Sequence, residues 1–313
     1  MAATHSNNSI LRESIRLVGS GAAGQVVALL LLAVIGRQYD QETMGVLGSF
    51  LSWGGLLAIA SGARYEQGIV VASAEDEAHT LYHLALRISL IFTLALLPIA
   101  LVIGYTNPSL TPLGSSIYAL PFFVLLSTWY NASALWELRH KRYKILAKMQ
   151  FIKGVGNNLL KAVFGFVAAT IGSLITAQIL SLIATFPLFF RSLKKGSKAP
   201  KTTSLRSVAK KYRGFPRYGI VQALIDNLLG SLLVLMLPLR YGLAEVGYLT
   251  MAIMLARRPL QLVAENLSNV YFQRLSECVS QRQSIRQLTY KLLRNTLIVS
   301  IPTALLLSQV APY

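Results

Sequence analysis

Charged residues are scarce in this chain: Asp, Glu, Lys and Arg make up 13% of its 313 residues, about half the share of a soluble domain. So little polar surface cannot cover a body exposed to water on all sides. Acidic residues are scarcer still, 12 against 30 Lys plus Arg, which leaves a net charge of +18. In a soluble protein that excess would point to nucleic acid. Here it is what the cytoplasmic loops of a membrane protein carry, and nucleic acid is excluded as a partner. Cysteine is nearly absent, and the lone Cys278 excludes an internal disulfide. The first apolar run lacks a small-residue cleavage site, so it reads as a span and not a leader. No Walker A loop, HExxH or GxSxG motif occurs, nor any catalytic constellation. The expected protein is not an enzyme and uses no cofactor or metal.

What is present is apolar sequence: 54% of residues are hydrophobic, in blocks of about 20, enough to cross a hydrocarbon core of about 30 Å. The expected fold is an all-α integral membrane protein with about nine transmembrane helices. They lie near 14–36, 44–63, 84–104, 116–137, 149–169, 172–190, 217–238, 246–270 and 292–309. The connections alternate in charge. Loop 138–148 holds Arg139, Lys141, Arg142, Lys144 and Lys148 without an acid, and 191–217 holds ten Lys and Arg without one. The intervening connections 105–115 and 170–171 carry no charge, and 37–43 and 239–245 one Arg each. Basic residues stay in the cytoplasm, which places the N-terminus and the loops after even-numbered spans there. Segment 64–83, with Glu66, Glu75, Asp76 and Glu77, departs from the pattern, but acids contribute little to orientation.

An offset of 202 residues (247 − 45) superposes Gly45 on Gly247, Leu30 on Leu232, Leu31 on Leu233, Tyr39 on Tyr241 and Leu47 on Leu249. Six spans separate the copies, so they form a parallel repeat of the kind some transporters use. The reading is a two-lobe transporter bundle: an N-terminal lobe at 1–190, a basic cytoplasmic linker at 191–216 and a C-terminal lobe at 217–313. Only about 100 residues follow the linker against about 200 before it. The second lobe is expected to be truncated by about three helices.

Charges inside a span cost about 2.5–3.5 kcal/mol near the helix centre, which makes them functional candidates. Lys153, Asn157 and Lys161 fall at about 0°, 40° and 80° around the fifth span, one polar stripe with Lys161 deepest. Lys153 lies closer to the cytoplasmic end, where it can snorkel. The eighth span holds Arg257, Arg258, Pro259 and Glu265; an internal ion pair is the structural alternative. Asp226, with Gln222 on the seventh span, is either an ion-coupling carboxylate or the partner of an Arg, and Glu265 is the other ion-coupling candidate. Arg64 reads as an interfacial anchor closing the second span. Trp129, Tyr130 and Trp136 read as an interfacial belt. His79 and His83 have i, i+4 spacing near three acids; a solvated helix face is the preferred reading over a metal site.

Three stretches resemble the polysaccharide (O-antigen type) flippase family of the multidrug/oligosaccharidyl-lipid/polysaccharide exporter superfamily. They are Ala63-Arg64-Tyr65-Glu66-Gln67 before the acidic segment, Tyr212-Arg213-Gly214-Phe215-Pro216 entering the seventh span, and a third run. The third joins Leu237-Pro238, Gly247-Tyr248, Arg257-Arg258-Pro259-Leu260 and Val270-Tyr271-Phe272. The resemblance implies two six-helix lobes around a cationic cavity in a bacterial cytoplasmic (inner) membrane. It further implies alternating access and export of an undecaprenyl-pyrophosphate-linked oligosaccharide. The partners would be that substrate, the lipid bilayer and other polysaccharide-assembly membrane proteins. Substrate contacts would come from Arg64, Lys153, Asn157, Lys161, Arg257 and Arg258. Competing readings are a peptidoglycan lipid-precursor flippase and a cation-coupled drug or metabolite antiporter of the same superfamily.

Overall fold

The computed structural model describes residues 27, 30–106, 112–190, 204–255 and 290. Among them every regular element is helical. All except Tyr290 fall in one compact unit, 23–256. Helix α1 (30–38) leads through a short turn into α2 (Gln41–Ser61) and then α3 (Tyr65–Val71). The long α4 (Glu75–Thr106) follows, then α5 (Leu120–Arg139) behind a 3-10 turn at Gly114–Ala119. Next come α6 (Tyr143–Phe151), a π-helical turn at Ile152–Gly156, and α7 (Asn157–Val167). Helix α8 (Ile171–Ile183) runs into α9 (186–190). Beyond them come α10 (Leu205–Lys211), a π turn at Phe215–Gly219, α11 (Ile220–Met236), α12 (Pro238–Tyr241) and α13 (Leu243–Leu255).

Three of these are long and apolar enough to cross a membrane: Gln41–Ser61, Glu75–Thr106 and Ile171–Phe190. The bent pair Phe215–Leu228 and Gly230–Tyr241 makes a fourth if it counts as one span. The expected spans over 116–137 and 149–169 exist as helices but miss that standard for physical reasons. Helix α5 carries Ser127, Thr128, Asn131 and Ser133 in its middle, and the span at 149–169 is cut by the Ile152–Gly156 π turn. The start of the first span, most of 246–270 and all of 292–309 lie outside the described residues.

Helices in lipid gain no hydrophobic drive toward one another, so close packing of small residues and interhelical hydrogen bonds must hold them. Helix α4 shows the rule. Its buried positions Ala78, Ala85, Ser89, Thr93, Ala100 and Gly104 recur at helical spacing. Along the same helix Leu90, Ile91, Leu94, Leu101 and Val102 face outward, where lipid would lie. The small face receives α5: Trp129 Nε1 donates to Ser89 Oγ at 3.0 Å, and the Tyr118 ring fills the space a Cβ on Gly104 would need. Pro98 sits inside α4, as prolines of membrane helices do when neighbours satisfy the freed carbonyl.

One end of the bundle is tied by charge. At about 1.5 Å per residue, α4 is about 48 Å long, so its first turns project beyond a 30 Å core. There Arg139 Nη1 donates to the carbonyls of Ile69 and Ala72 at 2.9 and 2.8 Å. Its Nε donates to Glu75 Oε2 at 3.2 Å, and His140 Nε2 lies 2.6 Å from Glu75 Oε1. Glu77 accepts from Lys211 and from Tyr212 Oη. The acidic segment that broke the charge alternation therefore neutralises basic residues at the same end. Burial raises the Glu75 carboxyl, but the Arg139 and His140 hydrogen bonds overcome it and hold the group below the usual carboxylate range. The Lys211 hydrogen bond, then that of Tyr212, does the same for Glu77.

Candidate functional site

The polar stripe is brought to three different neighbours. Because the π turn falls between Lys153 and Asn157, regular 3.6-residue spacing does not carry through. Lys153 lies with its Nζ 4.0 Å from the centre of the Tyr130 ring, a cation–π contact in place of the expected reach toward the interface. Asn157 is buried and its Nδ2 donates to Gln178 Oε1 of α8 at 2.8 Å. Such a bond between membrane helices is worth about 0.6–1.7 kcal/mol. Lys161 is 4% exposed, and its carbonyl accepts from Tyr39 Oη at 2.8 Å, with Ser173 Oγ 3.0 Å from the same phenol. Gln178 and Tyr39 were not singled out from the sequence. Gln178 sits in the middle of an apolar span, so the argument that selected Lys161 applies to it equally.

Arg64 follows the apolar helix Gln41–Ser61, as the sequence led one to expect, but on a distorted turn. Helix α2 breaks at Ser61 and resumes as α3 after Ala63 and Arg64, whose φ angles are +49° and +58°. A Cβ on the preceding Gly62 would stand 2.6 Å from Glu66 Oε2 and 2.9 Å from Thr128, so a side chain there would have to displace them. Ser61 and Thr128 share a 2.5 Å hydroxyl contact across to α5. Glu66 is 4% exposed, and both its Oε2 and Arg64 Nε are buried without a hydrogen-bond partner. Arg64 Cβ lies 3.5 Å from the position of a Cβ on Gly219, in the π turn that opens α11. Backbone strain and unsatisfied buried polar atoms thus coincide between α2 and the π turn that opens α11. Such coincidence marks functional sites more often than ordinary core.

The other candidates disperse. Asp226 and Gln222 occupy an exposed face of α11, while Asn227 Nδ2 donates to the Ala223 carbonyl. Arg257, Arg258 and Glu265 lie outside the described residues. Of the aromatic residues read as a belt, Trp136 is fully buried and Tyr130 nearly so, while Trp129 is half-buried. His79 and His83 are half-buried, not on a solvated face, with their rings 4.5 Å apart and His79 set edge-on to Trp136.

Apolar spanning helices, a bundle closed by small residues, and polar side chains held inside it define a helical membrane protein. Residues 67–313 match the family described as polysaccharide biosynthesis protein. The chain belongs to that flippase-like family, the one its motifs resemble. Neither a search of curated proteins nor one of solved structures returned a match.

Proposed function

We propose that this protein moves a lipid-linked oligosaccharide, of the undecaprenyl-pyrophosphate type, from the inner to the outer leaflet of a bacterial cytoplasmic membrane. It does so by alternating access of two six-helix lobes about a cationic cavity, without enzymatic chemistry. A pyrophosphate bearing a hydrophilic glycan cannot cross hydrocarbon alone, because unpaired charge and many hydroxyls would be stripped of water. A groove with guanidinium and ammonium groups at phosphate depth removes that barrier while the polyprenyl tail stays in lipid.

Arg64 is the observation that supports the reading most directly. It follows a break in the helix, its Nε is buried and unsatisfied, and the stem of its side chain lies beside the π turn that opens α11. In this reading Arg64 and Lys153 meet the pyrophosphate first. Lys161 and Asn157 hold it deeper, and Arg257 and Arg258 contribute from the second lobe. Asp226 and Glu265 are the candidate coupling carboxylates. Other membrane proteins of polysaccharide assembly would receive the product.

The test is glycan export in cells that depend on this protein, measured together with its membrane abundance. Arg64→Ala and Lys161→Ala should each lower export at least tenfold with abundance near normal, as loss of a charge-assisted contact worth about 1.5–3 kcal/mol requires. Arg64→Lys, which keeps charge but not the planar fork, should recover only part of the loss. Undiminished export by Arg64→Ala, Lys161→Ala, Arg257→Ala and Arg258→Ala, singly and combined, would overturn the site.

A further inference from the structure

We infer that Gly45 and Gly247 form a reversible seam between the two halves of the chain, so tight that one added methyl group keeps it from closing. The inference rests on the transport reading for its purpose and on contact geometry for its existence. Helices α2 and α13 begin at Gln41 and Leu243, separated by the same 202 residues (243 − 41) that superpose Gly45 on Gly247. The contacts between them are reciprocal. A Cβ on Gly45 would overlap the Leu243 carbonyl and crowd the Gly247 amide, and a Cβ on Gly247 would overlap the Gln41 carbonyl. Residue 45 thus touches 243, and 247 touches 41. One turn further on, a Cβ on Gly48 would overlap the side chain of Thr250, again its equivalent at the same offset. Contacts that repeat when each residue is exchanged for its equivalent, with Gly48 meeting its own equivalent Thr250, are the signature of a local two-fold axis through the crossing.

The chemistry of the seam is that of a contact made to part. Backbone lies on backbone through glycine, which gains dispersion contacts from close approach without interlocked side chains. Thr250 Oγ1 and Ser49 Oγ are buried there without hydrogen-bond partners, so few polar bonds need to break on opening. On one flank a Cβ on Gly36 of α1 would stand 3.4 Å from the end of Met251, a flexible side chain that accommodates movement. The crossing stands at the end of the bundle that carries the 37–43 and 239–245 connections, opposite the charged end. Closed, it shuts a path between α2 and α13 from that side; parted, it lets the headgroup leave.

The experiment uses the full chain with Cys278→Ser, a protease site in 191–203, and the pair Gly48→Cys and Thr250→Cys. A Cβ at 48 would stand 3.1 Å from Thr250 Cβ, within a few tenths of an ångström of disulfide spacing. Copper phenanthroline should join the proteolytic halves on a non-reducing gel. Export should stop while they are joined and return on reduction. Separately, Gly45→Val should abolish export. It should also raise several-fold the labelling of Thr250→Cys by an impermeant maleimide applied from the side of the 37–43 loop. Gly55→Val, on the same helix with open space around it, should do neither. Failure of the cross-link to form, or full export by the cross-linked chain, would overturn the seam. Should Gly45→Val not accumulate, the reversible cross-link decides alone. If the unsubstituted chain exports no glycan, the transport reading fails. The seam then stands or falls on the Thr250→Cys labelling.

Discussion

Ala63 and Arg64 adopt left-handed backbone angles, where an L residue loses about 1–2 kcal/mol relative to its ordinary conformations. Glycine avoids that loss but surrenders about 0.5–1 kcal/mol more chain entropy on folding. Ala63→Gly should therefore stabilise the fold by the remainder, about 0.5–1 kcal/mol, read as a higher unfolding midpoint in detergent. An unchanged or lower midpoint would show that the break stores no strain. Gly62→Ala should act oppositely, since its methyl would meet Glu66 and Thr128. The two substitutions bracket the geometry that aims Arg64 toward α11.

Helix α10 shows how an element inside a basic linker is placed. Seven residues cannot sustain a helix alone, and this one is docked on α3 and α4. Val208 is buried among Tyr65, Leu81 and Tyr82, Tyr65 Oη donates to the Ala209 carbonyl at 3.2 Å, and Lys211 and Tyr212 bond Glu77. Magnitudes rank these contacts. Burying a valine side chain is worth about 1.5–3 kcal/mol, an exposed ion pair at most about 1. Lys211→Ala should thus leave α10 docked, whereas Val208→Asp should release it, seen as faster hydrogen exchange over 204–212. The charges set the pH window. Depressed carboxylates at Glu75 and Glu77 stabilise above the ordinary carboxylate pKa, and that contribution disappears as pH falls through their lowered values. Lys211, raised by its Glu77 hydrogen bond, stabilises below the ordinary lysine value and loses that contribution as pH climbs past its raised one. Acidification below about pH 4 should loosen the charged end, shifting tryptophan emission. Glu75→Gln with Glu77→Gln should remove that acid transition.

For the whole molecule, the distribution of charge bears on orientation. Segment 64–83, loop 138–148 and α10 meet at one end through Glu75 with Arg139 and Glu77 with Lys211. They must therefore lie on one side of the membrane, whichever side that is. Its basic residues are the expectation for the cytoplasmic side, and the orientation we propose follows from them. Cysteines placed at Ser197 and Lys144 in intact cells should escape an impermeant thiol reagent and react after lysis. Strong labelling of both without lysis would invert the orientation. Labelling of one alone would break the shared end.

The sequence by itself determined the class and the family. Apolar runs of about 20 residues are local, so α2, α4 and Ile171–Phe190 were legible as spans, and the motifs around Arg64, Phe215 and Gly247 pointed to the matching family. Lys161 and Asn157 could be chosen as buried polar groups because the cost of a polar group in lipid does not depend on its neighbours. Only tertiary structure decided what those groups touch. In a linear reading Trp136 and Tyr130 look interfacial and His79 looks solvated; in the fold Trp136 meets His79 and Tyr82 of α4, and Tyr130 meets Lys153. The break at Gly62–Arg64 and the π turn at Ile152–Gly156 leave no pattern in hydropathy, since backbone conformation there answers to Thr128, Glu66 and Tyr130. The 202-residue offset could pair Gly45 with Gly247 as equivalents. That they also touch is a matter of how two helices cross, set by packing across the bundle and not by either segment alone.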